Sequence, residues 1–178
     1  MTIKSMTSAL VALALLALTA CADAEPGSPK LQSDAAQTAG ATDDTSAIEL
    51  TTFKSATCGC CKAWVDHARD NGFNVTAHNV DDLNGVKNRY EIDPRHQSCH
   101  TSVSPEGYVF EGHVPAKLIR QFLQKPPAGA RGLAVPAMPL GSPGMEVADR
   151  FTPYNVMLLN RDGSESVYAR IETIEQQH

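Results

Sequence analysis

Hydrophobic patterning divides the 178-residue chain into three regimes. Residues 9–20 (ALVALALLALTA) form one unbroken apolar run, whereas residues 22–47 carry Leu31 as their only large apolar side chain. From Ile48 the pattern becomes periodic. IELTTF reads as a strand, and Cys61, Trp64, Val65 and Ala68 recur at helical spacing until Asn71-Gly72 stops them. Phe73 to Val80 alternates as a second strand, and Asp81-Asp82 caps a helix carrying Leu83, Val86 and Tyr90 that ends before Pro94. Two strand-like runs, Ser98 to Ser104 and Tyr108 to Gly112, surround the turn Ser104-Pro105-Glu106-Gly107. Pro115 then opens a helix with Leu118, Ile119, Phe122 and Leu123 on its apolar face, stopped by Pro126-Pro127.

The predicted order β-α-β-α-β-β-α is that of an α/β thioredoxin-like fold. Gly129 to Glu146 is expected to be a structureless Gly/Pro/Met loop, followed by a C-terminal β-hairpin of Tyr154–Leu159 and Ser166–Ile171 around Asn160-Arg161-Asp162-Gly163. Loop and hairpin are expected to stand outside the core. There is no internal repeat.

The first two regimes read as address and tether. Lys4 followed by twelve apolar residues is too short to span a bilayer and has the form of an export signal. An ordinary signal peptide is one reading. The ending Leu18-Thr19-Ala20-Cys21, however, resembles the lipobox of bacterial lipoproteins. That resemblance implies that Cys21 is lipidated and anchors the chain to a membrane leaflet facing the periplasm, with Ala22 favouring the outer membrane. The expected organisation is a signal peptide over residues 1–20, a lipidated cysteine and flexible tether over 21–47, and one folded domain over 48–178. Removing residues 1–20 takes away Lys4 and no acid, so the net charge moves from −5 to −6. With no cluster of Lys and Arg, nucleic acid is excluded as a partner.

Of the five cysteines, Cys58, Cys60, Cys61 and Cys99 belong to the folded part. CGCCK stands where a thioredoxin would carry CGPCK, at a strand-to-helix turn whose dipole and free N–H groups favour thiolates. Thiolates serve both disulfide exchange and soft metals, so position alone leaves redox and metal chemistry open. Cys60 supplies a third sulfur where exchange needs two. In the predicted fold order Cys99 opens the third strand opposite this turn and faces the other three; its alternative is a small buried hydrophobe. Met138 and Met145 lie in the Gly/Pro loop, away from any helical stripe. Thioether with thiolate suits Cu(I), while zinc has no use for methionine. Among the six histidines, His113 is the candidate ligand. Strand alternation turns His100 away from Cys99, His67 and His78 read as surface or structural, and His96 and His178 carry no assigned role. Two other function classes stand beside metal binding. One is a thiol-disulfide oxidoreductase with Cys58 as nucleophile and Cys61 as resolving thiol; the other is a zinc-stabilised structural domain.

Together, CGCCKAW, SCHT, GYVFEGHVP, GLAVPAMP and GSPGME resemble the CopG-like family of periplasmic copper-resistance proteins, found near copper efflux systems. The resemblance runs from about Thr51 to Val147. It implies a thioredoxin-like fold in which Cys58, Cys60, Cys61 and Cys99 hold several Cu(I) ions in a thiolate-bridged cluster, with His113, Met138 and Met145 as further or nearby ligands. Interconversion of Cu(I) and Cu(II) is a role proposed for that family, and copper efflux or chaperone proteins are its implied partners. The family often has glycine before the first Met-Pro, where this chain has Ala137. Charge supports a cluster independently, because four buried thiolates need more than one monovalent ion to neutralise them.

Overall fold

The computed structural model describes residues 47–178. The expected signal peptide, lipidated Cys21 and tether lie outside the described residues. Within them, no helix is long and apolar enough to cross a membrane.

The chain runs β1 (Ile48–Lys54), α1 (Gly59–Asp70), β2 (Phe73–Asn79), α2 (Leu83–Arg89), β3 (His100–Val103), β4 (Val109–Glu111), α3 (Ala116–Gln124), β5 (Ala130–Ala134), β6 (Tyr154–Asn160) and β7 (Glu165–Ile171). Short 3-10 turns cover Pro94–His96 and Ile174–Gln177. All seven strands share one sheet, in the order β2-β1-β3-β4-β5-β6-β7. The β1–β2 and β4–β5 pairs are parallel and the others antiparallel.

Periodicity decides which face each element buries. Trp64, Val65 and Ala68 of α1 and Leu118, Ile119 and Phe122 of α3 pack with Leu50, Phe110, Leu133 and Val156 of the sheet into one core. Burying each of Phe110, Ile119 and Phe122 contributes about 1.5–3 kcal/mol. Along β4 the pleat turns Phe110 into this core and Glu111 to the other face, where Lys87 of α2 meets it. Helix α2 begins as its sequence predicts, with the Asp82 carboxylate accepting the Gly85 N–H at 2.8 Å.

One expectation is overturned. The segment from Gly129 to Glu146 is not structureless, because Ala130–Ala134 forms β5 beside β4 and carries the β6–β7 hairpin onto the same sheet. Loop and hairpin are therefore part of the sheet and core. Gly132 makes this pairing possible: a Cβ there would lie 1.8 Å from the Val109 carbonyl oxygen. The residue that hides the strand in the sequence is the one that lets it approach.

Candidate metal centre

The site gathers where β1 turns into α1. Cys58 is the N-cap of α1, and its Sγ accepts the Cys61 N–H at 3.3 Å. Cys58 and Cys61 are joined by a disulfide, while Cys60 and Cys99 are free. Cys60 Sγ lies 3.5 Å from Cys58 Sγ and 3.9 Å from Cys99 Sγ. All four sulfurs fall within 4.8 Å of one another. Cys61 is fully buried and its Sγ lies 3.3 Å from the Cys99 carbonyl oxygen; the other three are partly exposed.

A second donor group shares Cys99. Its Sγ is 3.0 Å from His113 Nε2 and 3.4 Å from His100 Nδ1. His113 Nδ1 sits 2.8 Å from the Pro143 carbonyl oxygen. A carbonyl only accepts, so Nδ1 carries the proton and Nε2 presents its lone pair to Cys99. Burial holds both imidazoles below the ordinary histidine range, His100 well below it with help from His113 and two lysines, and both rings are neutral. The Cys99 thiol is pushed up to about 12, first by burial and then by neighbouring Cys60. Without a metal, Cys99 is a protonated thiol donating to His113, and a metal must displace that proton.

His100 departs from the sequence expectation. It lies beside Cys99 instead of on the opposite face, because Cys99 precedes the first residue of β3 and strand alternation does not govern the pair. Its buried ring packs 4.5 Å from Trp64 and edge-on to His113 at 5.1 Å. His100 Nε2 has no hydrogen-bond partner among the described residues. The remaining histidines are accounted for elsewhere. His67 accepts the Ala116 N–H at the start of α3, His78 stacks on Phe53, and His96 pairs with Glu165.

The segment from Pro139 to Met145 closes over the turn. Gly144 packs so tightly on α1 that a Cβ would stand 2.6 Å from the Trp64 nitrogen and 2.7 Å from the Cys60 carbonyl oxygen. Met145 is partly buried, and Met138 is 49 % exposed. Ala137 is left-handed at φ 59°, the conformation that favours glycine at this position. The Ala137 N–H donates to the Gln97 carbonyl, and the Ser98 hydroxyl donates back to the Ala137 carbonyl, which ties the methionine segment to the residues just before Cys99.

Sequence reasoning missed the support behind Cys99. The buried Glu111 carboxylate accepts the Ser98 N–H at 2.7 Å and the Thr101 hydroxyl at 2.6 Å, and pairs with buried Lys87, which also donates to Thr101. The available signal was an acid inside the apolar run Val109-Phe110-Glu111.

Free thiol, disulfide sulfur and neutral imidazole converge here without a carboxylate among them. Once the disulfide is reduced, such a set favours soft, thiophilic ions over magnesium or calcium. A family described as a protein of unknown function, DUF411, matches residues 96–145, which include Cys99, His113, Met138 and Met145. A search of curated proteins finds no match. Two solved structures, titled copper resistance protein copG in forms 1 and 2, are each 44 % identical with a TM-score of 0.66, cover 70 % of this chain, and are themselves covered to 97 % and 98 %. With that identity across nearly the whole of those chains, the protein belongs to the CopG family of copper-resistance proteins.

Proposed function

We propose that the protein binds copper for resistance or homeostasis, holding several Cu(I) ions in a thiolate-bridged cluster on Cys58, Cys60, Cys61 and Cys99 when these are reduced. The observation that carries this reading is the convergence of four sulfurs within 4.8 Å in a member of the copper-resistance family. In this reading His113 supplies an imidazole and Met138 and Met145 supply thioethers at the rim, and the cluster interconverts Cu(I) and Cu(II). The strands β1 to β4 with α1 to α3 act as a thioredoxin-like unit, extended by β5–β7. Lipid on Cys21 and a tether over residues 21–47 hold the domain on the periplasmic face of the outer membrane, after removal of residues 1–20, where efflux or chaperone proteins exchange copper with it.

The test is to load the reduced protein with Cu(I) under argon, count metal per chain, and repeat with Cys60→Ser. Several coppers per chain, falling sharply in the variant, support the cluster. A second reading rests on the Cys58–Cys61 disulfide at the N-cap of α1, the arrangement of a thiol-disulfide oxidoreductase. If the protein binds no copper but reduces insulin disulfides, and Cys60→Ser still does, the second reading replaces the first.

A further inference from the structure

The four sulfurs do not stand as equals, and this has consequences that build on the copper reading above. Cys58 and Cys61 are bonded to each other, so neither is available as a thiolate in this state. Cys60 and Cys99 remain free thiols 3.9 Å apart, each partly exposed. Two metal–thiolate bonds of about 2.3 Å span that 3.9 Å when they meet at about 116°, close to the angle of a trigonal plane. A trigonal ion needs one more donor, and the neighbourhood of Cys99 offers two imidazoles.

They are not equivalent. The Pro143 carbonyl fixes the His113 proton on Nδ1, so Nε2 keeps its lone pair pointed at Cys99 Sγ from 3.0 Å. Using that lone pair for a metal leaves the Nδ1 hydrogen bond intact, the usual arrangement of a metal-bound histidine whose second nitrogen is held by a carbonyl. His100 has no such anchor; its Nε2 is unpartnered among the described residues. The short S–H···N contact between Cys99 and His113 opens slightly as the thiol proton leaves and the ion enters.

We propose that the disulfide form retains a separate mononuclear Cu(I) site made of Cys60, Cys99 and His113, so that the Cys58–Cys61 pair sets whether the protein holds one copper or several. The neutral imidazole and two thiolates leave such a site with one net negative charge, far less than four unpaired thiolates would impose. Cys60 is then the residue common to both states, which explains why a third thiol between two redox positions is useful.

The full chain is oxidised anaerobically with glutathione disulfide, which takes two electrons from the Cys58 and Cys61 thiols and leaves two reduced glutathiones and one protein disulfide. Alkylation before reduction and peptide mapping should show Cys60 and Cys99 modified and Cys58 linked to Cys61. Titration with the Cu(I)–acetonitrile complex should bind one copper per chain, with X-ray absorption reading two sulfurs and one imidazole nitrogen. Cys60→Ser should abolish this binding, and His113→Phe should remove the nitrogen and weaken affinity at least tenfold. The double variant Cys58→Ser/Cys61→Ser, without oxidation, should also bind one copper. The proposal is overturned if the disulfide form binds none, binds as many as the reduced protein, or keeps its copper in Cys60→Ser, and also if mapping finds Cys60 linked to Cys99. Reduced protein that binds several coppers while the disulfide form binds none sinks this inference alone; reduced protein that binds none sinks the copper reading as well.

Discussion

The two faces of β3 and β4 carry buried polar constellations of opposite character. On the α2 face, Lys87, Thr101, Glu111 and the Ser98 N–H satisfy one another through four mutual contacts. On the α1 face, Cys99, His100 and His113 share one sulfur between two imidazoles, and one ring nitrogen has no partner. The first is closed and therefore structural. The second keeps lone pairs in reserve, which costs stability in the free protein and is what a ligand site needs. Adjacent residues thus serve different ends: Glu111 fixes the backbone that His113 and Cys99 project from.

The largest effect should come from breaking the closed side. Glu111→Ala leaves Lys87 charged and unpaired in the interior and should cost about 3–5 kcal/mol in urea unfolding. The double change Lys87→Met/Glu111→Leu should recover most of that loss, because no isolated charge remains. If the single variant is as stable as the parent, the network is not closed as described.

Acid should act on the open side. His100, His113 and His67 all have folded-state values lowered chiefly by burial, so the unfolded chain binds protons first as pH falls. Stability is therefore intact above the ordinary histidine value and lost below it, by up to about 1.4 kcal/mol per pH unit for each ring kept neutral. The groups acting on His100 besides burial are His113, Lys87 and Lys54, while Glu146 partly offsets burial at His113. Metal-free protein unfolded in urea at pH 7 and at pH 5.5 checks the sign; greater stability at the lower pH contradicts it.

His100→Phe keeps a ring against Trp64 and removes the unpartnered nitrogen, so its cost in the metal-free protein should stay within about 1 kcal/mol. A loss comparable to that of Glu111→Ala would mean that the two faces are equally closed. The smallest change expected is Ala137→Gly, which relieves a left-handed alanine and should add about 0.5 kcal/mol after the entropy cost of glycine. Equilibrium unfolding of both variants decides these cases.

What could be read from the sequence follows the reach of each physical rule. The helices α1 and α3 and strand β2 were visible because their apolar positions repeat at a fixed period over seven or more residues. Strand β5 was not, since Ala130, Gly132, Leu133 and Ala134 are all buried and show no alternation, and a glycine flanked by proline-rich runs imitates a loop. At the site, Cys58, Cys60 and Cys61 are local to one turn, and Cys99 followed from the expected strand order. His100 was misjudged because alternation was applied across the end of a strand. Lys87 and Glu111 are 24 residues apart, and each looks like an ordinary surface charge until the sheet brings α2 over β4.

The placement of these donors also bears on the order of events during folding. Three sulfurs are within four residues of one another, but Cys99 reaches them across 39 residues, His113 comes with the β3–β4 pair, and Pro143 holds that imidazole across a further 30. Loop closure over such separations comes late and is slow. A newly exported chain would therefore present CGCC as a short, floppy thiol motif well before the full donor set exists. Complete coordination then marks a finished fold, and a chain stalled before β4 docks would offer copper only the local sulfurs.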